Sequence, residues 1–168
     1  DHTEVIVSGN VQLTMSDGLV VRTGSLLYAK GQSRVTMEDD TGPTTISRSG
    51  LEASGRNPVY NRDRAIITFR EAATVRLTGD DDRAAVTIES ARATLAQADG
   101  YMHFEGGTTV FTGSMVLESE NATAHFGEEE TALERLELRG GARMQWNEPT
   151  AGGLRETRAA DMTLEFEA

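Results

Sequence analysis

Gly9-Asn10-Val11-Gln12-Leu13-Thr14-Met15-Ser16-Asp17-Gly18-Leu19-Val20-Val21-Arg22-Thr23 reads as two strands joined by a tight turn. Val11, Leu13 and Met15 alternate with Gln12 and Thr14, Ser16-Asp17-Gly18 supplies the turn, and Leu19 and Val21 resume the alternation. Alternation of period two on either side of an Asp-Gly pair signals a hairpin, because such a pair tolerates the positive φ angles a tight hairpin turn requires. The same grammar returns in Val75-Arg76-Leu77, a turn over Gly79–Arg83, and Val86-Thr87-Ile88. It returns again where Met162, Leu164 and Phe166 alternate with Thr163, Glu165 and Glu167. Strands of this kind have one dry face and one wet face.

The hairpins belong to a longer repeat. Gly9-Asn10-Val11-Gln12-Leu13, Gly107-Thr108-Thr109-Val110-Phe111 and Gly141-Ala142-Arg143-Met144-Gln145 open similar units. Starts near Gly9, Pro43, Ala73, Gly107 and Gly141 give a period of roughly 30 to 34 residues, in the range of repeat architectures. A unit that long accommodates about three strands with short turns, so five units, the last truncated, predict about 13 to 15 antiparallel strands. Since one face of each strand is apolar, the sheet must fold over and bury that face against itself. The alanine-rich stretch Ile88 to Ala98 is the only one tolerable as a helix, and it also fits a strand–turn–strand unit. No linker interrupts the pattern, so residues 1–168 read as a single all-β domain.

Composition narrows the function classes. The 168 residues carry a formal net charge of −11, with 27 acidic against 16 basic side chains and no continuous basic run. Such a chain repels phosphate backbones, so nucleic acid is not an expected partner. Cysteine is absent, which removes disulfides, thiolate metal sites and a cysteine nucleophile. His2, His103 and His125 lack metal-ligand spacing, and the Asp80–Asp82 and Glu128–Glu130 runs lack the central glycine of a calcium loop. They read as hairpin tips. No Gly-x-Ser-x-Gly elbow orients a nucleophile, and the carboxylates sit at turns or on wet faces rather than paired across a cleft. No enzyme, metal or cofactor is expected. No apolar run approaches the length of a membrane-spanning helix.

The units also resemble a known family. Positions 9 to 23, Leu51-Glu52-Ala53-Ser54-Gly55 with Tyr60 and Arg64-Ala65-Ile66, Phe104-Glu105-Gly106-Gly107, and Leu138-Arg139-Gly140-Gly141-Ala142 are similar to units of the OstA-like lipopolysaccharide-transport family. That family includes the periplasmic proteins LptA and LptC and the N-terminal domain of LptD. The resemblance implies a V-shaped, folded-over antiparallel sheet, the β-jellyroll or β-taco, that binds the acyl chains of lipopolysaccharide. It implies head-to-tail pairing of edge strands with other such domains into a bridge to the outer membrane, with an inner-membrane transporter complex as a further partner. A periplasmic location follows, with or without a tether to the inner membrane by a segment outside this chain.

The dry faces name the candidate groove: Val11, Leu13, Val21, Met37, Ile67, Phe69, Val75, Leu77, Val86, Ile88, Met102, Phe104, Val110, Leu117, Phe126, Leu136, Leu138, Met144, Leu164 and Phe166. Each methylene removed from water contributes about 0.8 kcal/mol, so an aliphatic slot holds acyl chains without polar contacts. The competing reading is a structural or adhesive repeat protein in which these side chains simply fill a core and bind no lipid. A folded-over sheet that does not close leaves two edges. Val5 and Val7 on the first strand, and Met162, Leu164 and Phe166 on the last, are therefore the candidate partner-binding positions.

Overall fold

The computed structural model describes residues 4–15, 18–29, 31–38, 42–79, 84–96, 99–127, 133–148 and 150–166. His2, the Ser16-Asp17 half of the first turn, Asp80–Arg83 and Glu128–Glu130 lie outside the described residues. The strands are β1 (Glu4–Thr14), β2 (Val20–Ala29), β3 (Arg34–Glu38), β4 (Thr44–Arg48), β5 (Leu51–Arg56), β6 (Val59–Asn61) and β7 (Ile66–Phe69). They continue as β8 (Glu71–Leu77), β9 (Val86–Ala96), β10 (Tyr101–Thr112), β11 (Met115–Phe126), β12 (Leu133–Trp146) and β13 (Glu156–Glu165). All thirteen join one antiparallel sheet, and no α-helix occurs among the described residues.

The topology is simpler than thirteen strands suggest. Both halves of β2 have partners on the same side, β4 for Val20–Arg22 and β3 for Ser25–Tyr28. On β9, Val86–Ser90 pairs with β8 and Ala93–Ala96 pairs with β7. So β3 with β4, β5 with β6, and β7 with β8 are each one pass of chain broken in the middle, and the molecule is an up-and-down meander of ten passes. Every pass crosses a crease that divides the sheet into two leaves. The first leaf holds β3, β6, β7 and one half of each long strand; the second holds β4, β5, β8 and the other halves.

The sequence repeat acquires a meaning here. The unit starts at Gly9, Pro43, Ala73, Gly107 and Gly141 fall at the crease of the first, third, fifth, seventh and ninth passes. A unit therefore contains two bent passes, not the three short strands expected from its length. The count of thirteen arises because three passes break at the bend.

Two devices bend the chain. On β1, β10 and β12 an extra residue enters: Gly9-Asn10 lies opposite Gly24, Gly106-Gly107 opposite Ala91 and Glu120, and Gly140-Gly141 opposite Ala160. Two residues facing one is a β-bulge, which kinks its strand. Glycine is needed at Gly106 and Gly140, both at φ +82°, where a Cβ would lie 2.9 Å from the Ala91 Cβ and 2.8 Å from the Glu120 Cβ. The alternate passes change phase instead. β11 buries Leu117 and Ser119, then Ala122 and Ala124; β9 buries Val86 and Ile88, then Ala93 and Leu95. At this change a hydroxyl donates to the carbonyl two residues on: Thr23 to Ser25 (3.3 Å), Ser90 to Arg92 (2.8 Å) and Ser119 to Asn121 (2.8 Å). Carbonyls turned out of the ladder by the bend thus keep a donor.

Candidate functional site: an apolar interior between two leaves

Register across the ten passes turns the dry faces into rows. In the second leaf, Leu13, Val21, Ile46, Ala53, Val75, Ile88, Val110, Leu117, Met144 and Thr157 stand side by side from one edge strand to the other. The seven from Val21 to Leu117 are 0% exposed. In the first leaf, Val5, Tyr28, Val35, Tyr60, Ile67, Leu95, Met102, Ala124, Leu136 and Leu164 form a matching row. Nearer the crease, Phe69, Ala93, Phe104, Ala122, Leu138 and Met162 continue a third. Nine of the ten residues in the first row and all ten in the second are apolar or tyrosine, since alternation is kept in every pass.

All twenty candidate groove residues lie in this interior. Fifteen are buried: Val11, Val21, Met37, Ile67, Phe69, Val75, Leu77, Val86, Ile88, Met102, Phe104, Val110, Leu117, Leu136 and Leu138. Leu13, Phe126, Met144, Leu164 and Phe166 are half-buried and pack against the same cluster. The candidate groove set leaves out Leu19, Leu26, Val35, Ile46 and Leu95, which belong to the interior equally. Both Leu19 and Leu95 had a visible signal, the alternation of Leu19 with Val21 and of Ala93 with Leu95.

The floor at the crease has another chemistry. Thr23, Thr44, Gly55, Ala73, Ser90, Thr108, Ser119, Ala142 and Ala159 occupy it, so small and hydroxyl-bearing residues line the place where the leaves converge. The Thr44 hydroxyl donates to that of Thr23 (2.9 Å). Thr108 Oγ1 is buried and has no hydrogen-bond partner among the described residues. Gly55 has a specific reason: a Cβ there would meet the Phe69 ring at 2.7 Å, so Phe69 of the first leaf closes onto bare backbone of the second.

The middle of the interior is consequently filled. Opposite the crease, Leu19, Ile46, Arg48 and Leu51 of the second leaf face Ile67, Leu95, Tyr101, Met102 and Phe126 across a narrow cleft. Its free space is about 30 Å³, room for the centres of one or two waters. Strand pairing stays within each leaf away from the crease, so this rim is closed by side chains and not by a backbone ladder.

The outer faces are polar. Arg143 on β12 reaches Glu118 on β11 (3.2 Å) and Glu156 on β13 (3.1 Å), and Arg158 also bonds Glu156. Hydrogen bonds from Arg143 and then Arg158 hold the Glu156 carboxyl at about 2, well below its ordinary 4.5. No group of three or more potential metal ligands occurs among the described residues.

The edges lie where the sequence placed them. Among the described strands, β1 and β13 each have a neighbour on one side only. Val5 and Val7 are 44% and 42% exposed; Met162 and Leu164 are half-buried. Phe166 lies one residue beyond β13, with its N–H donating to the Glu134 carbonyl (2.9 Å).

No family model matches this sequence, and no curated protein does. Among solved structures it is similar to LptH from Pseudomonas aeruginosa, described as the LptA-homologous periplasmic component of the lipopolysaccharide transport device. The match has a TM-score of 0.58 at 12% identity and covers 66% of this chain and 80% of that one. The ten-pass folded sheet, with its apolar interior and two open edges, is an LptA-like β-jellyroll.

Proposed function

We propose that the protein is a periplasmic lipopolysaccharide-transport component that binds lipid A acyl chains between its leaves and passes them along a head-to-tail series of similar domains. The observation that carries this reading is the continuity of the rows. Apolar side chains stand in register from β1 to β13 without a charged residue in either long row, so the interior is a track leading from edge to edge. A core serving stability alone has no need to extend to Val5, Val7, Met162 and Leu164, which one-sided pairing leaves accessible. An LptH-like fold is consistent with this role, and lipopolysaccharide is then the ligand, with other β-jellyroll domains and an inner-membrane transporter complex as partners. The protein is a carrier in this reading, not an enzyme.

The filled centre shapes the mechanism. Because about 30 Å³ cannot take an acyl chain, lipid binding requires the leaves to part at the rim between Leu51 and Met102. Parting exchanges side-chain contacts for contacts with the lipid and breaks no strand pairing. The same filled centre favours the second reading, a structural repeat protein whose core binds nothing. Photo-cross-linking with lipopolysaccharide separates the two. Photoreactive residues at Phe69, Leu117 and Phe126 give lipid adducts in the carrier reading; absence of adducts from all three establishes the filled core.

A further inference from the structure

Several outward-facing arginines have carboxylate partners: Arg76 with Glu52, Arg92 with Glu105, Arg135 and Arg139 with Glu137, Arg143 with Glu118 and Glu156; Arg22, Arg56 and Arg155 form no ion pair among the described residues. Three further arginines gather at one hollow beside the β6–β7 turn. Arg34 opens β3, Arg64 sits in the turn, and Arg70 follows β7; together they border a hollow of about 310 Å³ floored by Val59 and Ile66. Among the described residues none of the three forms an ion pair. The neighbouring carboxylates are engaged: Asp63 accepts from the Ser33 hydroxyl, and Glu71 from the Asn57 amide at 3.1 Å. Asn61 Oδ1 accepts from the Arg64 N–H (3.2 Å), which fixes the turn.

We propose that this hollow binds the phosphate-bearing headgroup of the amphiphile whose chains occupy the interior. The proposal rests on the carrier reading above and adds a second point of grip. Three clustered guanidiniums that form no ion pair repel one another, and a bound anion relieves that repulsion. Guanidinium favours phosphate because its planar fork donates two parallel hydrogen bonds. Position links the hollow to the track. The β6–β7 hairpin points Tyr60 and Ile67 into the interior and presents Asn61 and Ile66 outside. A lipid with its chains beside Ile67 has its headgroup at the rim, next to Arg64. Arg70 lies four residues past Ile66, about 13 Å further along the strand, so the hollow runs from the rim along the outer face of the first leaf. Although the whole chain is acidic, the fold gathers positive charge where such a headgroup emerges.

The test uses the full chain and two probes, dimyristoyl phosphatidic acid and dimyristoylglycerol, competing with a fluorescent fatty acid. Wild type should prefer the phosphorylated probe by about tenfold or more, a preference that shrinks with added salt. The variant R34Q/R64Q/R70Q should bind both probes alike, with its affinity for dimyristoylglycerol unchanged, and R34K/R64K/R70K should recover part of the preference. A wild type that binds both probes equally overturns the headgroup site and leaves the carrier reading standing; one that binds neither overturns both. An undiminished preference in the glutamine variant overturns the proposal. So does a variant that keeps the preference and loses assembly, which assigns the arginines to a protein partner. Inorganic phosphate that binds wild type as tightly as the phosphorylated lipid marks a free-anion site and also overturns it.

Discussion

The centre of the interior and its β1 end are built from the same alternating strands, yet they meet solvent oppositely. Ile67, Phe69, Val75 and Ile88 are 0% exposed, while Val5 and Val7 are 44% and 42% exposed, and Ile6 on the outer face of β1 is 71% exposed. Residue type does not separate them. Each central strand has neighbours on both sides and an opposing leaf, whereas β1 has one neighbour and bears no charge beyond Glu4. The β13 end differs again, because its wet face carries Glu156, Arg158, Asp161 and Glu165 while Met162 and Leu164 stay half-buried. Native edges are usually blunted by charge or proline. β13 is blunted on its outer face and β1 is not, so in the proposed head-to-tail reading β1 is the end that a partner strand covers.

The largest expected effect tests the closed centre. Phe69→Ala removes a fully buried ring and should cost about 3–5 kcal/mol in urea denaturation, against about 0.5 kcal/mol or less for Ile6→Ala. Equal costs would erase the distinction between centre and end. Gly55→Ala approaches the same contact from the other leaf. Its Cβ cannot coexist with the ring at 2.7 Å, so overpacking should cost about 1–3 kcal/mol. At the edge, Ile6→Lys with Val7→Lys should leave stability nearly unchanged and reduce self-association about tenfold by sedimentation, since like charges along a free strand oppose pairing. Retained assembly would move the partner-binding edge to β13.

The smallest effect concerns acid. Glu156 has a depressed folded-state value, so the stability it contributes is present above its ordinary 4.5 and is lost as pH falls from there through about 2. Glu156→Gln should flatten that limb of the pH–stability profile. An unchanged profile would mean that the Arg143 and Arg158 contacts contribute nothing in solution.

Much of this was readable in advance. Alternation in Val11, Leu13, Val86, Ile88, Leu136 and Leu138 depends only on the period of a strand, so every groove residue read from it falls inside. The crease was visible only as a repeat. Pro43, Ala73 and Gly107 mark it, but one sequence does not tell a bend from a turn when bulge and phase change alternate between passes. The crease floor escaped notice because Ser90, Thr108 and Ser119, although in phase with Ile88, Val110 and Leu117, are polar and so do not stand out as dry-face residues. Arg34, Arg64 and Arg70 form no run in the chain. Two hairpin turns bring them together, and no local signal announces that.

The account depends on leaves that separate to admit a chain. Since the protein has no cysteine, Leu51→Cys with Met102→Cys places one thiol on each side of the rim cleft, where a reducible cross-linker can tie the leaves together. Lipopolysaccharide binding should be lost in the tied protein and return on reduction. Undiminished binding by the tied form would contradict the account.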